Sequence, residues 1–256
     1  DRTGSLTGGG TDRIASGMPG VYHGRAGARF PCVGGRATPW AMAKIAILGS
    51  GQVGDALAKG FLGKGHDVMR GSREPAKLAA WKDQAGARAS VGDFAQAAAW
   101  AELVVLAVKG TAAEAAIALA GPTNLAGKTV IDATNPIADA APTGGVLAFF
   151  TGPNESLMER LIAAAPEANF VKAFSCVGNA LMVDPDFGGT RPTMFICGND
   201  AAAKATVTEV LTSFGWDSED LGTVTAARAI EPLCILWCIP GLLHKRWNHA
   251  FKLLTK

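Results

Sequence analysis

The run KIAILGSGQVG, residues 44–54, constrains the fold of this chain more than any other stretch. An apolar segment typical of a buried strand leads directly into three glycines spaced G-x-G-x-x-G, and residues of helical periodicity follow. Gly49 allows a tight turn, Gly51 lets the backbone approach a diphosphate, and Gly54 lets the helix pack closely on the strand. The unpaired N–H groups at the start of the helix would face the negative ligand. This order predicts a dinucleotide-binding β–α–β unit.

Apolar runs and helical stretches alternate along the chain after this motif. The run LVVLAVK at 103–109 has the unbroken apolar character of a strand that is buried on both faces. Strands that alternate with helices over short connections form right-handed crossovers and a parallel sheet. We therefore predict the α/β class, with a Rossmann-type doubly wound parallel sheet and a small C-terminal α/β extension. In that extension we predict a strand at 193–200, a short edge strand at 217–222 and a long helix from Thr225.

The charge of the chain is unevenly distributed. Residues 1–42 contain ten glycines, five arginines and two acidic residues, whereas the remainder carries 19 basic and 20 acidic side chains. A near-neutral globular part shows no electrostatic footprint for nucleic acid or an anionic membrane, so we predict small-molecule cofactors as ligands and neither nucleic acid nor a membrane as a partner. Residues 1–42 lack periodicity and are predicted to be a disordered or non-native leader. The five cysteines form no C-x-x-C pair, which fits a reducing cytoplasm.

The residues after the second predicted strand indicate which dinucleotide binds. That strand, at 66–72, leads into Ser72 and Arg73, and Lys77 follows one turn later. Arginine can hold a 2′-phosphate through two charged hydrogen bonds, whereas the carboxylate that grips the ribose of NAD would repel it. The spacing therefore favours NADP(H). The alternative is a solvated pair between Arg73 and Glu74, although a helix over 74–84 would aim Glu74 away from Arg73.

The nicotinamide end of the dinucleotide would lie over the carboxyl ends of later strands. Thr134 and Asn135 could hydrogen-bond the ribose or the carboxamide, and Val108 and Val177 could enclose the ring. Each has a plainer explanation, because Asn-Pro is an ordinary turn and valine an ordinary core residue. The sequence shows no Ser-His-Asp order, metal-ligand cluster or triphosphate-binding loop. We therefore predict hydride transfer that depends on positioning, with no catalytic residue singled out and no metal.

Four stretches resemble the coenzyme F420-dependent NADP oxidoreductase family: GSGQVG, GSREPAK, LVVLAVK and Ala-Arg-x-Ile-Glu-x-Leu at 227–233. The resemblance covers residues 44–256 and implies hydride transfer between NADP(H) and the deazaflavin F420 in a cytoplasmic homodimer. By position it implies a pyrophosphate site at Ser50, Gly51, Gln52 and Val53, a 2′-phosphate site at Ser72, Arg73 and Lys77, and a nicotinamide side at Val108 and Lys109. The family often has proline where Lys109 stands.

The second half of the chain is also similar to the cytoplasmic domain of the transmembrane ferric reductases called STEAP, in VKAFSCVGNAL, FICGNDAAAKATVTEVLTSFGW and ARAIEPLCILW. That resemblance implies transfer from NADPH to a flavin. We predict an oxidoreductase with an NADP-binding domain at 43–180 and a small substrate or dimerisation region at 181–256. The alternatives are a non-catalytic NADP-binding sensor or partner protein, and a ferric or flavin reductase. An apolar face of the last helix, including Leu236 and Trp237, would serve a dimer or pack on its own sheet.

Overall fold

The computed structural model describes residues 42–256, which belong to one compact unit. The predicted leader, apart from Met42, lies outside the described residues. Within them the chain forms eight strands: β1 Lys44–Leu48, β2 Asp67–Gly71, β3 Ala89–Gly92, β4 Leu103–Leu106, β5 Thr129–Asp132, β6 Asn169–Lys172, β7 Thr193–Gly198 and β8 Asp217–Asp220.

The described helices alternate with these strands. They are α1 Gln52–Gly63, α2 Ala79–Ala85, α3 Phe94–Trp100, α4 Ala113–Ala120, α5 Pro122–Leu125, α6 Leu157–Ala164, α7 Ala201–Ser213, α8 Ala227–Ile230 and α9 Leu233–His244. Asp93 caps α3 as predicted, because its side chain accepts a hydrogen bond from the Gln96 N–H.

All eight strands form one sheet in the order β3-β2-β1-β4-β5-β6-β7-β8. Strands β1 to β6 are parallel, β7 is antiparallel to β6, and β8 is parallel to β7. The chain starts at β1 and winds outward first to β3 and then to β6, so the strand order reverses between β1 and β4. This is the doubly wound Rossmann-type sheet that the sequence predicts, and the crevice at the reversal is where such sheets bind ligands.

The sheet is covered on both faces by amphipathic helices. One buried cluster joins Ile45 and Ile47 of β1 to α1 and α7, and the other joins Ala46 and Leu48 to α3, α4 and α6. Successive residues of a strand point to opposite faces, so β1 must be apolar at every position between the two layers. The predicted boundary at residue 180 falls between β6 and β7 of this continuous sheet, and it stays a prediction.

Several elements end earlier than predicted. The strand predicted over 103–109 ends at Leu106, and the strand predicted over 169–177 ends at Lys172. Phe174 causes the second difference, because its φ of 61° lies in the left-handed region, which a strand cannot contain. The helix predicted over 74–84 begins as a 3₁₀ turn, Pro75–Leu78, before α2.

The last helical run, Val224–His244, is long and apolar. By length and composition alone this 21-residue run could cross a membrane. It contains an 18-residue stretch with a mean hydropathy of 1.5, and 33% of that stretch is buried inside the protein. Arg228 pairs with Glu159 and Glu231 pairs with Lys172, so the run is also attached to the sheet by charged contacts. The predicted absence of a membrane partner stays a prediction.

Candidate dinucleotide-binding site

The turn between β1 and α1 depends on two of its glycines for its shape. Gly49 has a φ of +145°, and a Cβ at this position would collide with the carbonyl oxygen of Ala107. A Cβ at Gly54 would lie 2.7 Å from the carbonyl oxygen of Gly49. These two residues therefore permit the tight turn and the close packing of helix on strand that the motif spacing predicts.

Gly51 differs from the other two glycines of the motif. It is the N-cap residue of α1, with φ −79° and ψ −176°, and makes no side-chain capping bond. A Cβ built here meets no protein atom within 4 Å. The space in front of Gly51 is therefore open, which is what close approach of a diphosphate to the N-terminus of α1 requires.

A groove of about 310 Å³ opens beside this turn, at the carboxyl ends of β1, β2 and β4. It brings together eight of the fourteen residues predicted to bind the cofactor: Gly49, Ser50, Gly51, Ser72, Arg73, Lys77, Val108 and Lys109. These residues come from three separate loops. Their convergence at the strand reversal supports the placement of a dinucleotide at this edge of the sheet.

The end of the groove beside β2 is cationic. Arg73 and Lys77 are exposed there, and the buried Ser72 accepts a hydrogen bond from the Glu74 N–H through its Oγ at 3.1 Å. Glu74 also lines the groove, and it precedes a 3₁₀ turn, Pro75–Leu78, where a helix was predicted. The Glu74 carboxylate pairs with Lys77 at 2.8 Å rather than with Arg73, and this hydrogen bond lowers the pKa of Glu74.

Three of the predicted residues outside the groove belong to the first turn of α1 or its base. Gln52 is exposed and Val53 is half-buried against the core, while Gly54 is fully packed. The N–H groups of this first turn are the part of these residues that a diphosphate would use. Their place outside the groove is therefore compatible with the predicted role.

The residues predicted for the nicotinamide end are less uniformly available. Thr134 is buried, and its N–H and Oγ1 both donate to Asp132 Oδ1, at 2.9 and 2.6 Å. Asn135 is half-buried and donates through Nδ2 to the carbonyl of Ser175 at 2.9 Å, whereas its buried Oδ1 has no partner among the described residues. Val177 is buried in the core cluster on the α1 side of the sheet, while Val108 lines the groove. The structure therefore leaves Val108 exposed to the groove, and it leaves the buried Asn135 Oδ1 without a hydrogen-bond partner among the described residues.

The exposed Lys109 forms an ion pair with Asp139. Gly110, which follows Lys109, lets the loop of Asn135 approach the backbone closely, because a Cβ on Gly110 would collide with the Asn135 carbonyl oxygen. The two loops that follow β4 and β5 are thus packed against each other at the edge where the nicotinamide would lie.

Sequence reasoning missed Arg70, a buried cation directly behind the glycine-rich turn. Its side chain is 2% exposed and donates to the carbonyls of Gly49 and Gly51 and to Asp55. The guanidinium also lies 4.9 Å from the centre of the Trp81 ring. Burial lowers the pKa of Arg70, Asp55 opposes this, and arginine stays charged in proteins. The signal was a charged residue in the second predicted strand, where parallel sheets are usually apolar.

A second missed feature is a buried charge cluster under the loop after β5. Lys172 Nζ lies 2.6 Å from Asp132 Oδ2 and 2.8 Å from Glu231 Oε1, and it donates to the Thr134 carbonyl at 3.0 Å. Burial alone would lower the pKa of Lys172, but Asp132 and Glu231 more than offset this, so its pKa is raised. Glu231 also accepts from the N–H groups of Leu157 and Met158 at the start of α6.

A larger hollow, of about 580 Å³, lies on the outer side of α1 and shares only Gln52 with the predicted site. Its charged side chains already pair with one another, Lys59 with Asp55 and Lys64 with Asp184. Among the described residues, no group of three or more His, Cys, Asp or Glu side chains could hold a metal ion. The groove at the strand reversal remains the site that the geometry favours.

Comparison with known proteins now places the chain. The profile of the family "NADP oxidoreductase, coenzyme F420-dependent" matches residues 44–136. A candidate F420-dependent NADP reductase from Arthrobacter sp. FB24 superposes with a TM-score of 0.77 at 37% identity, over 83% of this chain and 100% of that chain. The chain belongs to this family. It is accordingly an NADP-dependent oxidoreductase, as predicted from the resemblance.

Two further relatives extend the comparison. Metalloreductase STEAP3 of Rattus norvegicus is 31% identical over 205 residues, which are 78% of this chain and 39% of that protein. This chain thus spans well under half the length of that curated relative. An imine reductase from Aspergillus terreus, solved in complex with NADPH4 and dibenz[c,e]azepine, shares the fold at 23% identity and a TM-score of 0.56, covering 76% of this chain and 60% of that chain.

Proposed function

We propose that this NADP-dependent oxidoreductase transfers hydride between NADPH and a deazaflavin, coenzyme F420, or a related flavin that docks over the nicotinamide. Bound NADPH would supply the hydride, and the acceptor would take up two electrons. The residues of the chain would bind the two cofactors, orient their reacting rings and exclude water. The name of the matched family and of its Arthrobacter relative supports the deazaflavin as acceptor.

The observation that carries the cofactor assignment is the cationic end of the groove. Arg73 and Lys77 stand where the 2′-substituent of the adenosine ribose would lie in a Rossmann-type site, and both are exposed. NADP carries a phosphate there and NAD a hydroxyl. A charge-assisted hydrogen bond contributes about 1.5–3 kcal/mol. Two such donors would therefore discriminate strongly in favour of NADP(H).

The chemistry of the groove supports transfer by positioning. Among the described residues, the titratable side chains that line the groove are Arg73, Glu74, Lys77 and Lys109. Three of these lie at the adenosine end, far along the ligand from the reacting carbon. At the other end we assign Val108 to contact with the ring and Asn135 Oδ1 to acceptance of a carboxamide N–H. Holding the donor and acceptor rings in register supplies the rate advantage, because hydride passes directly between them.

The proposal is tested by mixing the purified protein anaerobically with NADPH and, in separate reactions, coenzyme F420 or FMN. Loss of the near-ultraviolet absorbance band of NADPH measures turnover. We expect rapid loss with F420, and a strong reduction of the rate at low NADPH in the variant Arg73→Ala. Tight NADPH binding without oxidation by either acceptor would contradict the proposal and favour a non-catalytic NADP-binding protein.

The likeness to STEAP3 supports a second candidate, reduction of a flavin or of ferric iron. Turnover with FMN or a ferric chelate, but not with F420, in the same assay would favour it. This chain covers only the part of STEAP3 to which it aligns, so the activity of the whole metalloreductase is not carried over.

A cytoplasmic homodimer also belongs to the proposal. Leu236 of α9 is 54% exposed and Leu243 is 50% exposed, which leaves apolar surface for a second subunit. Trp237, by contrast, is buried against the ring of His249, so of the two predicted uses of this face Trp237 packs inside its own subunit and is not available to a second one. Analytical ultracentrifugation of the purified chain tests the dimer, and a monomer at all concentrations would contradict it.

A further inference from the structure

Arg70 occupies an unusual place for a positive charge. It belongs to β2, in the interior of a parallel sheet, and its side chain is 2% exposed. Removing a charge from water costs several kcal/mol unless hydrogen bonds and opposite charges replace the water. Here Nη1 lies 3.2 Å from Asp55 Oδ1, and Nη2 lies 3.3 Å from the Gly49 carbonyl and 3.2 Å from the Gly51 carbonyl. One guanidinium nitrogen therefore links both ends of the short segment Gly49–Gly51.

The peptide geometry turns these two contacts into a constraint on N–H groups. In a planar trans peptide the C=O and the following N–H point in opposite directions. Holding the Gly49 carbonyl toward Arg70 therefore aims the Ser50 N–H away from the core, and holding the Gly51 carbonyl does the same for the Gln52 N–H. These are the amides at the N-terminus of α1, where Gly51 provides no side-chain cap. A diphosphate would take their place as acceptor.

We propose that Arg70 is a positioning residue for the bridging diphosphate of the dinucleotide: from behind the turn it fixes two carbonyls and so presets the amides that bind the phosphates. The inference rests on the nucleotide part of the proposed function and extends it. It also assigns Asp55 a part, since this carboxylate in the first turn of α1 neutralises the guanidinium and fixes its orientation.

This role differs in kind from that of Arg73. Arg73 would contact the 2′-phosphate, so it should matter for every ligand that carries this group and for none that lacks it. Arg70 should matter for every ligand with a bridging diphosphate, whether or not it carries the 2′-phosphate. Three ligands separate the two roles: NADPH has both groups, NADH has the diphosphate only, and 2′-AMP has the 2′-phosphate only.

The experiment measures the dissociation constants of these three ligands by calorimetry for the wild type, Arg70→Met, Arg70→Lys and Arg73→Ala. Methionine keeps much of the packing volume on Trp81 without the donors. For Arg70→Met we expect NADPH and NADH to weaken by the same factor, ten- to hundredfold, and 2′-AMP to change less than twofold. Arg70→Lys keeps the charge but loses the double donation, so we expect an equal, smaller loss for both dinucleotides.

Arg73→Ala is the matched control and should show the complementary pattern, with NADPH and 2′-AMP weakened and NADH unchanged. Unchanged dinucleotide binding in the Arg70 variants would overturn the inference. So would a loss of 2′-AMP binding equal to that of NADPH, because it would show that the whole groove had collapsed. If Arg70→Met does not fold, Arg70→Lys decides by the same criteria. Because the readout is binding, failure of hydride transfer to F420 would contradict the proposed function and leave this inference standing.

Discussion

The ammonium group of Lys172 lies 2.6 Å from a carboxylate oxygen of Asp132, and neither side chain has any exposed surface. Glu231 completes the cluster at 2.8 Å and also receives two N–H groups at the start of α6. One cation thus connects β5, β6, α6 and the chain just after α8. The same ammonium holds the carbonyl of Thr134, on the loop that we assign to the nicotinamide end.

Replacing Lys172 with methionine leaves two buried carboxylates without their cation. Breaking a buried ion pair from one side typically costs about 3–5 kcal/mol, so we expect the free energy of unfolding to fall by about that amount. Urea unfolding followed by circular dichroism measures it. Lys64→Met is the control, because the pair of Lys64 with Asp184 is solvent-exposed and should contribute about 1 kcal/mol or less. Equal effects of the two substitutions would contradict this view of the cluster.

The glycines of the motif should separate stability from binding. Gly49→Ala places a Cβ against the Ala107 carbonyl and forces a φ of +145°, so we expect marked destabilisation. Gly51→Ala meets no protein atom within 4 Å at an allowed φ of −79° and should leave the melting temperature nearly unchanged. It should nevertheless weaken NADPH binding at least tenfold, because the new methyl group occupies the approach of the diphosphate. Thermal melts and calorimetry on both variants test this, and unchanged NADPH affinity in Gly51→Ala would place the diphosphate elsewhere.

Glu74 is expected to limit the affinity for NADPH. Its carboxylate pairs with Lys77 at 2.8 Å in the groove and would also repel the 2′-phosphate. Glu74→Gln removes the repulsion and releases Lys77, so we expect NADPH to bind a few-fold more tightly and NADH to bind as before. Equilibrium titration of both nucleotides measures the change. A large, selective loss of NADH binding would instead indicate that Glu74 grips the ribose of NAD.

His66 should make stability depend on pH. Burial, assisted by Arg88 and opposed by Asp67, lowers the pKa of this ring, and its Nδ1 accepts a hydrogen bond from the Ala43 N–H at 3.3 Å. The unfolded chain has an ordinary histidine pKa of about 6.5 and therefore takes up the proton first as the pH falls. The stabilising contribution is thus present above about pH 6.5 and is lost as the pH falls from there through the lower folded-state pKa.

Urea unfolding at a series of pH values between neutrality and mild acid checks this dependence. His66→Asn is the informative variant, because its amide oxygen can accept the same Ala43 N–H without titrating. We expect a flatter pH profile for this variant than for the wild type. Identical slopes in the two proteins would show that His66 does not titrate differently in the folded state.

Local sequence patterns were sufficient for the order of the strands and helices and for the glycine turn, because each rests on neighbouring residues. They also placed Arg73 and Lys77 in one groove with the turn, since parallel strands end at the same edge of a sheet. The contacts of Arg70 and Lys172 could not be predicted from local patterns. Arg70 reaches Asp55 only through the pairing of β2 with β1, and Glu231 reaches the N-terminus of α6 across 74 residues of chain.

The nicotinamide end was harder to predict for a related reason. Thr134 and Asn135 follow a strand, as binding residues often do, but nearby Asp132 and distant Ser175 compete for their polar groups. Which side chain atom stays available depends on the loop after β6, where Phe174 takes a left-handed conformation. No local pattern in the sequence predicts the left-handed conformation of Phe174.

The most direct test of the account is the effect of Arg73→Ala on the dissociation constants of NADPH and NADH, measured side by side by calorimetry. Loss of one charge-assisted hydrogen bond or more, at about 1.5–3 kcal/mol each, corresponds to a ten- to hundredfold weaker affinity. Arg88→Ala changes an exposed arginine that directly precedes β3 and does not line the groove; it serves as the control and should alter neither constant. We predict a ten- to hundredfold loss for NADPH with NADH nearly unchanged, whereas an equal loss for both nucleotides, or none for either, would contradict the account.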